Sequence, residues 1–498
     1  MTSKTVHGSI QLLPGTSALQ LLELVGIGKL RFNRLLKEFE GSDGVIWFPL
    51  NLSGSIAPFP IQYTYTGALV NPPIVVVTIP PSRLSGMPDY AGKWALTLIL
   101  PSTNVELTKI TFSDIQGLYG DFIVSDLAVI NTLNFPALLM VNGRFSPNTM
   151  PGVTTLGFPA LASVLGDFTP NNMIGLTVMS FPALVSVGNN FNPNTLDVIT
   201  TFNFLALETV VGNFNPNTMA GLTIMDFPAL VSVGGNFTPS TMIALTAMFF
   251  PELVHIVGSF NPSVMAGLIS MNFTALKNVA KNFNPNSMVA ATTLNFPVLN
   301  HVGGNFTPSF MDGLITLSFE SLVNIDNDFS PSTMAALTLM NFPALINVGG
   351  NFTPNMMNGL IELTLHSLKN IVGQFSVSNM SGLTSLSLPA IEKLDTVAIE
   401  HASIAITSNT PNLLSFNINK AVKQIGNGAG DVLITSAALN QKSVDDLLIL
   451  LASLDGTNGT TSFDNRLVVI TGTSASPSIL SDSARTILNL RHCTVSTN

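Results

Sequence analysis

A phenylalanine recurs every 23 residues without a single insertion, at Phe122, Phe145, Phe168, Phe191, Phe214, Phe237, Phe260, Phe283, Phe306, Phe329, Phe352 and Phe375. A second column runs from Phe112 through Phe135, Phe158, Phe181 and onward to Phe342, then continues as Leu365 and Leu388. Self-similarity at a fixed period of this length marks a stacked repeat architecture, in which each unit buries its apolar edge only against its neighbours. Thirteen units are in register between Leu107 and Leu394. The unit beginning at Leu222 places apolar residues at Leu222, Met225, Phe227, Leu230, Val233, Phe237 and Met242. Its first segment alternates as a half-buried strand does, with Met225 and Phe227 inward and Ile224 and Asp226 outward. Pro228 ends that strand, and the Gly234-Gly235 pair is expected to supply backbone freedom at a tight corner. Each repeat therefore predicts one turn of a solenoid built on parallel strands.

Composition agrees with a packed array. Only 9% of the residues are charged while 46% are apolar, the reverse of the balance that produces disorder. The longest apolar runs, Ile74 to Ile79 and Leu447 to Leu454, fall far short of a membrane-spanning helix. A net charge of -9 offers no basic stripe for phosphates, so nucleic acid is not an expected partner. The single cysteine, Cys493, excludes internal disulfides and cysteine-based zinc cages. Residues Met1 to Gly15 lack the charged and apolar regions of a secretory signal, which predicts a chain folded in a cytoplasm.

The sequence divides into an N-terminal anchoring domain over 1–100, the repeat solenoid over 101–398, and degenerate coils with an α/β cap over 399–498. In the first part, Ser17 to Phe39 has helical spacing broken at Gly26 and Gly28, with a basic cluster of Lys29, Arg31, Arg34 and Lys37. Short β-rich runs follow at Ile46 to Leu50, Ile61 to Tyr65, Ile74 to Ile79 and Ala95 to Leu100, predicting an α+β or mostly β module. In the last part, Leu414 to Ile418 with Val422 and Ile425 reads as a degenerate coil. Ser443-Val-Asp-Asp446 reads as a capping box ahead of a leucine-rich helix that Gly456 ends.

The spacing L-x-x-L-x-F-P-x-L-x-x-V-G-x-x-F resembles a leucine-rich repeat and is most similar to the BspA-like subclass. That resemblance implies a parallel concave sheet with an irregular convex side, used for binding. The tail, with Thr471-Gly-Thr-Ser-Ala-Ser-Pro477 and Thr494-Val-Ser-Thr-Asn498, is similar to a C-terminal module of bacteriophage structural and tail-fibre proteins. It implies a virion surface protein assembled in the host cytoplasm. Such a protein would dock to other virion proteins through its N-terminal domain and meet a host glycan or protein, as a single chain or a homo-oligomer. The rivals are a structural capsid or tail decoration without receptor contact, and a cellular leucine-rich-repeat adhesin.

No enzymatic chemistry is expected. The carboxylates Asp167, Asp197, Asp226, Glu252 and Asp312 fall in different repeats, so no acid/base pair is indicated. Asp326 and Asp328 read as a solvated corner rather than a cation site, and His255 and His301 share a column two coils apart, about 10 Å, too far to share a metal. The sequons at Asn236, Asn305 and Asn351 are not expected to be modified, the methionine column from Met219 to Met334 reads as core, and no cofactor is predicted. The remaining candidate is the outward column of the strand, whose binding residues are Asn203, Asp226, Phe249, Asn272, Asn295, Ser318 and Asn341. These are small hydrogen-bonding groups one strand spacing apart with one aromatic among them, competent either to bind a partner or to bond one another along the sheet.

Overall fold

The computed structural model describes residues 117–118, 121–125, 127–397, 402–427 and 430–498, together with the backbone of short strands at 30–33, 38–41, 61–64, 93–94, 96–99 and 109–111. The chain forms two compact units, one of residues 1–212 with 216–222 and the other of 213–215 with 223–498. Both are parallel β-solenoids with 23-residue coils.

In the second unit each coil carries two short strands. The first set begins with Ile224–Asp226, Ala247–Phe249, Ser270–Asn272 and Thr293–Asn295, in parallel register at a spacing of 23. The second set, such as Ser232–Val233, His255–Ile256 and Asn278–Val279, pairs in the same way. A third side is closed by parallel bridges, for example Phe237 to Phe260 and Ser240 to Ser263. The side expected to be irregular is thus paired as well, because the buried proline of each Asn/Thr-Pro-Asn/Ser segment leaves its two neighbours free to bond the adjoining coils. The first unit repeats the pattern with Thr132–Asn134, Thr155–Gly157, Val178–Ser180 and Thr201–Asn203 in one ladder. Its second ladder runs from Lys93–Trp94 through Gly117–Leu118 and Met140–Val141 to Thr209–Val210.

All seven apolar positions of the unit beginning at Leu222 are fully buried, as is the methionine column. The two phenylalanine columns interlock. Phe237 stacks on Phe260 at 5.2 Å and Phe250 on Phe273 at 5.1 Å, while Phe237 meets Phe250 edge-on at 5.0 Å and 85°. Stacked and edge-to-face contacts are the two arrangements that the aromatic quadrupole favours.

The glycines of the corner do not serve as expected. Positive φ among the described glycines is confined to the C-terminal region, at Gly426, Gly430, Gly456, Gly459 and Gly472. A Cβ on Gly350 would lie 2.4 Å from Asp328 Oδ1 and 2.8 Å from the Asn327 carbonyl carbon. Glycine at this position lets successive coils touch backbone to backbone. The side chain it approaches belongs to a ladder: Asn282 Oδ1 accepts from Asn305 N at 2.9 Å, Asn305 Oδ1 from Asp328 N at 3.1 Å and Asp328 Oδ1 from Asn351 N at 2.7 Å. The left-handed position lies elsewhere in the coil. Thr241, Val264, Ser287, Phe310, Thr333 and Met356 all have φ between 54° and 58°. That conformation aims each carbonyl at the previous coil, so that Met242 N donates to Val264 O at 3.2 Å and Met288 N to Phe310 O at 3.1 Å.

At the N-terminal side, Leu30–Asn33 and Glu38–Gly41 form an antiparallel pair with Phe32 opposite Phe39, replacing the helix expected there. Leu30 and Phe32 alternate with Arg31 and Asn33, and a run this short satisfies either period. Of the expected β runs, Ile61–Thr64 and Leu96–Ile99 are strands paired in parallel, whereas Ile46 to Leu50 and Ile74 to Ile79 lie outside the described residues. The degenerate coil is present, with Ser415–Ile418 in register with Ser385–Leu388 and Gln424–Ile425 with Lys393–Leu394.

The cap helix spans Gln441–Ser453, its N-cap three residues ahead of the expected Ser443. Asn440 is its N-cap, accepting from Ser443 N at 2.9 Å, and the Ser443 hydroxyl instead accepts from Phe416 N of the last coil. The neighbouring Asp445 is buried and holds the following segment through Ser478 N at 2.8 Å and the Ser481 hydroxyl at 2.6 Å. Burial alone would raise the Asp445 pKa, but the hydrogen bonds from Ser478 and Ser481 outweigh it and leave the carboxyl below the usual range. Among the described residues no helix is long and apolar enough to cross a membrane.

Candidate functional site

The outward column expected from the sequence lies at the C-terminal end of the first strand of each coil, half-buried throughout. Register places Asp226 beside Phe249, Phe249 beside Asn272 and Asn272 beside Asn295. Ser318 sits beside Asn341, and in the first unit Ser180 sits beside Asn203. Neighbours in this row bond one another: Asn203 Nδ2 donates to Ser180 Oγ at 3.3 Å, Asn295 Nδ2 to Asn272 Oδ1 at 2.7 Å and Asn341 Nδ2 to Ser318 Oγ at 3.0 Å. These bonds support the sheet, yet an asparagine carries two donors and two acceptor sites, so one rung bond does not exhaust its capacity. Burial raises the Asp226 carboxyl above its ordinary value.

A second row was missed as a unit. His255, Asn278, His301, Asn324, Asn347 and Asn370 occupy one register line on the second strand of successive coils. Asn347 Nδ2 donates to Asn324 Oδ1 and Asn370 Nδ2 to Asn347 Oδ1, each at 2.7 Å. The signal was the same 23-residue period, visible once the two histidines are read with the asparagines between and after them. Asn278 separates His255 from His301, as their spacing implied. Asp326 meets His301 Nε2 at 2.9 Å, whereas Asp328 belongs to the backbone-capping ladder. The two carboxylates therefore face different groups. The sequon asparagines Asn236, Asn305 and Asn351 cap backbone N–H groups of the next coil in the same ladder.

One coil thus contributes short parallel strands, an inward apolar set dominated by Leu, Phe and Met, and outward rows of Ser, Thr and Asn. The fold is a parallel-strand β-solenoid with 23-residue coils. The chain is similar to a crystal structure of a leucine-rich repeat protein from Bacteroides ovatus, at 13% identity over 72% of this chain and 93% of that one, with a TM-score of 0.19. No family model matches the chain, and no curated protein matches it. In this solenoid the outward rows repeat a hydrogen-bonding group at nearly every strand spacing, about 4.8 Å, with Phe249 interrupting the first row. Such a surface suits an extended partner that itself offers repeated polar groups.

Proposed function

We propose that the chain is a non-enzymatic attachment protein on the surface of a phage virion, a tail-fibre or spike-like component. In this reading the N-terminal region docks to other virion proteins and the solenoid meets a host glycan or protein. The observation that carries the reading is the pair of outward rows, one in register over Asp226 to Asn295 and again over Ser318 to Asn341, and one in register from His255 to Asn370, on coils whose inward Leu, Phe and Met side chains are buried. A second reading, structural decoration without receptor contact, draws on the rung bonds themselves, which spend part of each row on the sheet.

Two measurements test this. The full chain, fluorescently labelled, is titrated onto host cells and onto arrayed glycans, with Asn272→Ala/Asn295→Ala as the comparison. Saturable binding that falls at least tenfold in the variant supports attachment through the first row, and no binding at any salt leaves the decoration reading. Immunogold labelling then locates the chain: on virions it supports the virion assignment, and on the cell envelope alone it replaces the phage with a cellular adhesin.

A further inference from the structure

The arc of each coil from the left-handed residue to the start of the next strand turns part of its side chains outward, and in the second unit these include large apolar side chains in a two-coil rhythm. Val264 and Ile269, Phe310 and Ile315, and Met356 and Ile361 recur at intervals of 46 residues, each between 47% and 59% exposed. In the intervening coils those two places hold hydroxyl residues, Thr241 and Thr246, Ser287 and Thr292, Thr333 and Thr338. Two of those coils instead raise a residue between the two places, Ile243 and Val289. The result is a checkerboard of knobs and holes with a repeat of two strand spacings, about 10 Å. From Thr241 to Glu362 only Asp312 and Glu362 bring charge to this arc.

Nothing within the coil explains the knobs. Val264, Phe310 and Met356 hold φ of 54° to 57°, where a β-branched or bulky residue is a strained outlier and the hydroxyl residues of neighbouring coils serve the same backbone bond. We infer that this arc is the interface between two copies of the chain. A second copy carries the same two-coil spacing, and an antiparallel two-fold arrangement centred between the Ser287 and Phe310 coils sets every knobbed coil against a holed one. Phe310 and Ile315 then enter the places beside Ser287 and Thr292 of the partner copy. The eight knobs leave on the order of 700 Å² exposed, close to the ~800 Å² that each partner gives a standard interface. The interface is isologous, so it closes on itself rather than propagating.

Sedimentation equilibrium of the full chain from 0.5 to about 50 μM tests this. The wild type is expected to be a dimer, and Phe310→Asp/Ile315→Asp a monomer with unchanged far-ultraviolet circular dichroism. Should the charged variant misfold, Phe310→Thr/Ile315→Thr, which copies neighbouring coils, must weaken dimerisation at least tenfold. Val257→Asp, on a different exposed part of the coil, must leave the dimer intact. A monomeric wild type, a dimer that survives the Thr pair, or equal dissociation by Val257→Asp overturns the inference. Host-cell binding by the monomeric variant is read separately, so failure of the attachment reading is distinguishable from failure of this one.

Discussion

The interlocked phenylalanines allow aromatic geometry to be separated from volume within one molecule. Phe260 stacks on Phe237 at 5.2 Å and Phe283 at 5.0 Å, and it meets Phe273 and Phe296 edge-on at 5.1 and 5.5 Å. Phe375 is equally buried and also has two stacked partners, Phe352 at 5.4 Å and Phe416 at 6.2 Å. Its second column, however, has turned to Leu365 and Leu388, which have no ring to offer. Substituting leucine at either site removes a similar volume and both stacked contacts. At Phe260 it also removes two edge-to-face pairs, each contributing about 0.5–1.5 kcal/mol beyond area burial. Phe260→Leu should therefore cost about 1–3 kcal/mol more than Phe375→Leu.

Global denaturation is a poor readout, because long arrays depart from two-state behaviour. Native-state hydrogen exchange at the affected coil is the direct assay. Phe260 N donates to Asn282 O at 2.8 Å and Phe375 N to Ser403 O at 3.0 Å, so both amides report opening of their own coil. Equal losses of protection at the two sites would refute the reasoning and reduce the phenylalanine columns to apolar filler.

Four further outcomes follow from the coil and the cap. Gly350→Ala should destabilise its coil by about 1–3 kcal/mol, since a Cβ there meets the Asn327 and Asp328 backbone as well as an Asp328 carboxylate already tied to Asn351 N; unchanged hydrogen-exchange protection at Gly350 N would contradict this. Thr241→Asn should stabilise by roughly 1 kcal/mol, because asparagine tolerates the left-handed region better, and a loss of protection at Met242 N would contradict this. Asn440→Ala should cost about 1 kcal/mol of cap stability in proteolysis assays, as removal of an N-cap does. The Asp445 carboxyl is held below its ordinary range, so its stabilisation is complete above the unfolded carboxylate pKa of about 4 and is lost as pH falls through the lower folded value. Acid should loosen the segment from Ser478 to Leu490 in wild type, and Asp445→Asn should abolish that pH dependence.

What the sequence disclosed and what it concealed divide along one physical line. Burial is a property of each position, so a 23-residue period exposed every inward residue of the coil, from Leu222 to Met242, and the outward row through Asp226 and Phe249. Bonds between coils belong to pairs of residues 22 to 24 apart, and local rules misread them. Gly350 looked like a turn residue because glycine usually serves φ, yet its constraint is the Asp328 oxygen of the coil before it. Thr241 and Val264 looked unremarkable because left-handed backbone is normally assigned to glycine, yet the inter-coil bond from Met242 N to Val264 O accompanies the strained conformation. The cap failed similarly: Ser443 has the chemistry of an N-cap, but the buried Phe416 N–H of the last coil claims its hydroxyl and leaves the cap to Asn440. In a solenoid the informative neighbour is one coil away, and reading each residue against its counterparts 23 positions before and after recovers the histidine–asparagine row and the alternating knobs that a linear scan passes over.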